Sequence, residues 1–119
     1  MGLSYLPITV SHPANPKKSA TVEFMIDSGA IYSVVPGRIL EELGIKPEEK
    51  RDFILTNGQK MTREIGIARF GYKSRVGGAP VVFGKRMDNT LLGATTLEAI
   101  GFALDPFKRD LLPLPMVIG

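Results

Sequence analysis

Along most of this chain apolar and polar positions alternate, and that period predicts strands. Leu6, Ile8 and Val10 share one face of a strand over 3–10. Pro7 within it cannot donate to a ladder, so the segment belongs at an edge or a bulge. HPANPKK, residues 12–18, reads as a turn, and 20–26 as the returning arm of a hairpin. The β-rich apolar run 31–35 suits a buried strand. Pro36 then opens a helix at its first position; Ile39, Leu40 and Leu43 lie on one face, and Gly44 supplies the stop. A polar loop is expected over 45–52. Residues 53–56, Asn57-Gly58 and 59–70 predict a hairpin with a two-residue turn. Val76-Gly77-Gly78 marks the turn of a following hairpin, with strands at 79–83 and 90–92 separated by a polar turn at 84–89. Thr95 and Glu98 have the spacing of a capping box, so a second short helix is expected, with Leu97 and Ile100 inward and Gly101 at its end. A short strand at 102–104 and an extended tail over 110–118 follow; Pro113 and Pro115 confine the tail to edge pairing.

A length of 119 residues implies one domain, residues 1–119. No apolar run approaches the ~20 residues that span a bilayer. The N-terminal residues lack a signal-peptide pattern, so the expected location is cytoplasmic, with no membrane partner. The chain has no cysteine and one histidine. Disulfides, a thiol nucleophile and thiolate metal sites are therefore excluded, as is a site with several histidine ligands within one chain. His12, in Ser11-His12-Pro13, reads as a solvated turn residue. The net charge of +3 is dispersed over turns and offset by Glu41, Glu42, Glu48 and Glu49. Nucleic-acid binding favours cations gathered on one face beside aromatics, so no nucleic-acid partner is expected.

One stretch carries candidate chemistry. Phe24, Met25 and Ile26 run straight into Asp27, then Ser28, Gly29 and Ala30. A carboxylate where a strand leaves the core is costly without a purpose. Gly29 permits a tight turn beside it, and Ser28 supplies a hydroxyl. Asp27-Ser28-Gly29-Ala30 resembles the Asp-Thr/Ser-Gly-Ala signature of aspartic proteases. Leu91-Leu92-Gly93 with the helix pattern after it resembles the downstream motif of the retropepsin-like branch. The 66 positions from Asp27 to Gly93 suit such a lobe. A short echo between the two motifs, each followed by a helix ending in a glycine (Gly44, Gly101), agrees with the internal two-fold of that family.

The resemblance implies an all-β acid-protease fold: a closed, retropepsin-like β-barrel lobe with one or two short helices, acting as a homodimer on peptide or protein substrates. It implies no metal and no cofactor. Asp27 would supply one of two catalytic carboxylates, Ser28 would brace the two motif loops across the dimer, and Gly29 would admit the substrate backbone. Ala30, Val35 and Leu91 would line the cleft. Asn57 and Gly58 would stand at the tip of the flap hairpin. Two other readings remain open at this level: a catalytically silent, protease-like dimeric peptide-binding module, and a basic β-barrel that binds nucleic acid. A serine hydrolase using Ser28 would need His12 as base and lacks the Gly-x-Ser-x-Gly context.

Overall fold

The computed structural model describes residues 4–55, 57–105, 107 and 110–115. The first two strands, β1 (Tyr5–His12) and β2 (Asn15–Ile26), form an antiparallel hairpin in which Tyr5 faces Met25 and Ser11 faces Ser19. The turn is shorter than its two prolines suggest. The strand resumes at Asn15, opposite His12, and the register shifts between there and the Ser11–Ser19 pair, where residues 15–19 are exposed. His12 closes the turn by accepting the Ala14 N–H at Nδ1, 3.0 Å away. Pro7 lies opposite Glu23, outside the Thr9–Ser11 stretch in which β1 also pairs with a second strand.

Strand β3 (Ser33–Pro36) leads into α1 (Gly37–Glu42), with Pro36 as the N-cap residue rather than the first helical one. Leu40, Leu43 and Ile45 are buried, and Gly44 turns the chain at φ +78°. The expected polar loop over 45–52 is only partly a loop. Its second half belongs to β4 (Glu49–Ile54), an exposed strand on the open end of the sheet, where polar side chains are tolerated on both faces. Strand β5 (Lys60–Tyr72) returns from β4, with Ile54 opposite Lys60. Their connection is longer than a two-residue turn: Leu55 N–H donates to Gln59 O (2.8 Å), Gly58 N–H donates to Leu55 O (2.9 Å), and Gly58 takes φ +85°.

A second correction concerns the next hairpin. Its turn lies at Lys73-Ser74, both left-handed (φ 47° and 67°), and Val76-Gly77-Gly78 belong to β6 (Arg75–Gly84). Gly77 is there for packing. A β-carbon on it would stand 2.4 Å from Ala99 O in the helix laid across the strand. Beyond the turn at 85–88 come β7 (Leu91–Leu92), α2 (Ala94–Ile100), β8 (Phe102–Asp105) and β9 (Asp110–Pro113). The expected capping box is not made. Gly93 is the N-cap, no side chain caps the helix, and Thr95 lies inside it; Gly101 ends it at φ 76° as expected. Residues 116–118 of the expected tail, and Thr56, lie outside the described residues.

The main sheet runs β1-β2-β7-β3-β6-β5-β4, and the β1–β5 pairing at Thr9–Ser11 brings the sheet back onto itself. The inward face carries Ile8, Val10, Phe24, Val35, Phe70, Val81 and Leu92, and α1 and α2 add Leu40, Leu97 and Ile100. Phe24 and Phe70 meet edge to face at 6.2 Å. The all-β, barrel-like lobe with two short helices matches the fold class expected from sequence.

Candidate active site

The short strand β7 organises the site. It pairs parallel with the end of β2 (Met25 beside Leu91, Ile26 beside Leu92) and antiparallel with β3 at Val34. The residues between β2 and β3 must therefore arch over β7. Asp27 N–H donates to Leu92 O (3.0 Å), fixing the carboxylate residue at the strand end. Gly29 N–H donates to Asp27 Oδ1 (3.0 Å), and Ala30 N–H donates to Asp27 O (3.1 Å), so the turn folds around Asp27. The far side of the arch rests on α2. Ala94 N–H donates to Ala30 O (2.7 Å) and Thr95 N–H to Ile31 O (3.0 Å). These backbone acceptors satisfy two N–H groups at the start of α2, a helix end that no side chain caps. The approach is close enough to require glycine at 93, because a β-carbon there would lie 2.7 Å from both the carbonyl carbon and the oxygen of Tyr32.

Asp27 opens onto a cleft of about 900 Å³ between this arch and the β4–β5 hairpin. Of the residues singled out in the sequence, Asp27, Gly29, Ala30, Asn57 and Leu91 line that cleft together. Ser28 is exposed and does not line it; Gly58 stands in open space at the hairpin tip. Val35 is a correction. It is fully buried in the core, and its neighbour Val34 faces the cleft, as strand alternation demands once Ser33 is seen to point inward.

Several cleft residues were not singled out from sequence: Ile31, Tyr32, Arg51, Phe53, Ile54 and Met61. The exposure of Ile31 (67 %) and Ile54 (74 %) leaves two large aliphatic side chains at the cleft rim. Tyr32 joins the arch to the hairpin. Its ring meets Phe53 edge to face at 6.3 Å, Arg51 lies over it at 5.4 Å, and Arg51 Nη1 donates to its hydroxyl at 2.6 Å. Glu49 holds the other side of that guanidinium at 2.6 Å and, by hydrogen bonding to it, raises the Arg51 pKa further above its ordinary value. The Ile-Tyr pair after Ala30 was legible as apolar sequence, but its reach to β4 depends on the hairpin's fold. The second carboxylate on the cleft wall, Asp52, accepts the Thr62 hydroxyl at 2.7 Å. Among the described residues no cluster of three or more His, Cys, Asp or Glu could hold a metal ion, and no helix is long and apolar enough to cross a membrane.

An Asp-Ser-Gly arch clasped by a Leu-Leu-Gly strand and covered by a hairpin has a counterpart in sequence. Residues 17–99 match the family described as gag-polyprotein putative aspartyl protease. The chain belongs to this family of retropepsin-like aspartic proteases. The matched span runs from within β2 into α2 and so holds both motifs. Two solved structures share the fold. The solution structure of simian foamy virus (mac) protease is 19 % identical, with a TM-score of 0.52 over 78 % of this chain and 92 % of that one. The crystal structure of a retropepsin-like aspartic protease from Rickettsia conorii is 23 % identical, with a TM-score of 0.52 over 87 % of this chain and 85 % of that one. No curated protein sequence matches the chain.

Proposed function

We propose that residues 1–119 form one lobe of a homodimeric aspartic endopeptidase, in which two copies of Asp27 activate a water to hydrolyse a peptide bond. The observation that carries this reading is the position of Asp27. It stands partly exposed at the end of β2, held by its own Gly-containing turn, on the floor of a cleft with mainly apolar walls. Family membership supports the same chemistry. One chain supplies one such turn, so the second carboxylate comes from a second copy across a two-fold axis.

At ~3 Å and an effective dielectric of ~20, two carboxylates repel by about 5 kcal/mol. The pair therefore holds one proton between its members. The ionised carboxylate takes a proton from water while the protonated one donates to the scissile carbonyl, and the hydroxide equivalent adds to the carbonyl carbon. In this reading Ser28, which is exposed beside Asp27, braces the equivalent loop of the second copy. The peptide lies extended along the cleft as an added strand, with Ala30, Val34 and Leu91 beneath it and the Asn57 hairpin above. The experiment is cleavage of a mixed peptide library by the wild type beside Asp27→Asn. Cleavage by the wild type, with a loss of at least ~100-fold in the variant, is expected. Folded dimers that cut nothing would instead favour the peptide-binding reading.

A further inference from the structure

Beneath the Asp27 arch lies a polar contact that the chemistry above does not use. Ser33 on β3 and Thr96 in the first turn of α2 are both 0 % exposed, and their hydroxyl oxygens stand 2.5 Å apart across 63 residues of sequence. Ser33 Oγ also accepts the Gly93 N–H at 3.0 Å. Buried hydroxyls in an otherwise apolar core are costly unless paired, and this pair sits where β3, β7 and α2 converge. We infer that Ser33 and Thr96 are positioning residues, a buried hydroxyl pair that sets the Asp27 loop by fixing α2 against β3.

The route is short. The backbone anchors that tie the arch to β7 and α2 come from the junction this pair holds. Leu92 O receives the Asp27 N–H, Ala94 N–H reaches Ala30 O, and Thr95 N–H reaches Ile31 O. Leu97 and Ile100 seat the helix in the core, but apolar burial is non-directional and tolerates sliding and rotation. A hydrogen bond in a dry site is directional and stiff. The Ser33–Thr96 bond and the Gly93 N–H bond together fix both the rotation of α2 and the start of its first turn. Neither residue touches the cleft, so each acts through the loop. The Thr95–Glu98 spacing points to the neighbouring position, whereas the buried, paired hydroxyl is on Thr96.

The inference rests on the aspartic-protease reading, and its test separates the two. Thr96→Val removes the hydroxyl at nearly constant shape, and Thr96→Ser keeps it. Kinetics are measured on folded dimers, beside amide hydrogen exchange, which needs no activity. Thr96→Val is expected to lower kcat about tenfold or more with KM nearly unchanged, because small misplacements at a reacting centre are costly. Thr96→Ser is expected to retain most of the wild-type kcat. In Thr96→Val the Asp27, Ala30 and Ala94 amides are expected to exchange faster, while the Ile8 and Val22 amides of the β1–β2 hairpin keep their rates. Wild-type kcat in folded Thr96→Val, or exchange accelerated equally throughout the chain, would overturn the assignment. If the wild type cuts no peptide, the protease reading fails, and the exchange pattern alone decides the positioning claim. If Thr96→Val does not fold, Ser33→Cys, whose thiol is a weak acceptor of similar shape, is read by the same two criteria.

Discussion

At the residue scale the structure separates glycines that serve shape from those that serve space. Gly93→Ala would drive a β-carbon into the Tyr32 carbonyl. Strain of that kind costs about 1–3 kcal/mol in a packed site, and the displaced Tyr32 would carry the Asp27 arch with it. Denaturant titration should show the loss, and peptide cleavage should fall further than the population of folded protein does. Gly58→Ala is a useful contrast, because nothing lies within 4 Å of that position and the cost comes from φ +85° alone. About 1 kcal/mol is expected there, with little change in the melting of the core. Asp27 is legible as a carboxylate at the end of an apolar run, and Gly93 through the resemblance of Leu91-Leu92-Gly93 to the retropepsin-like downstream motif. The resemblance put Val35 in the cleft, and the run 31–35 shows no alternation that would have shifted the choice to Val34. Only the inward turn of Ser33, tied to Thr96, reveals the phase that puts Val34 outward.

At the element scale, strands and helices were legible wherever their period met a clear punctuator, as with Gly44 after α1 and Gly101 after α2. Turns were less so. Val76-Gly77-Gly78 has turn composition, yet the pairing of Tyr72 with Arg75 places the turn at Lys73-Ser74. What selects it is tertiary, since Gly77 makes room for Ala99. Two polar ties hold elements that apolar burial leaves loose. Arg63 grips Asp88 through two bonds, Nε to Oδ2 at 2.6 Å and Nη2 to Oδ1 at 2.8 Å. The guanidinium, aided by the Lys85 N–H, pulls the Asp88 pKa below the usual aspartate value. This pins the turn before β7 to β5, so Asp88→Asn should destabilise the fold by about 2 kcal/mol, read by thermal unfolding. The other tie is Asp110 at the start of β9. The Tyr72 hydroxyl at 2.7 Å, then the Leu111 N–H and Lys73, lower its pKa to about 2. A carboxyl depressed in the folded state adds stability above its unfolded pKa and loses it as pH falls toward the folded value. That window runs from about pH 4 to about pH 2. With its side chain 39 % exposed, solvent screening leaves about 1 kcal/mol. Asp110→Asn should therefore unfold more easily than wild type at neutral pH, with the difference vanishing near pH 2.

At the scale of the whole molecule, the fold was legible because two motifs and their separation are enough to identify a retropepsin-like lobe. The second copy that the proposed mechanism calls for is not written in one chain, but the features that support proposing it are. The arch offers a single Asp-Ser-Gly turn, Ser28 faces solvent beside it, and Ile31 and Ile54 leave apolar surface at the rim of the cleft. A dimer that builds its catalytic centre from both copies should lose specific activity on dilution below its dissociation constant, and a progress-curve series over protein concentration would show it. The most direct measurement mixes wild type with Asp27→Asn in equal amounts at constant total protein, after exchange of subunits. If each site needs two Asp27 carboxylates, only dimers of two wild-type chains cut, and activity falls to about one quarter of the wild-type value. Retention of about one half would mean that each chain works alone, and the paired-carboxylate account would be wrong.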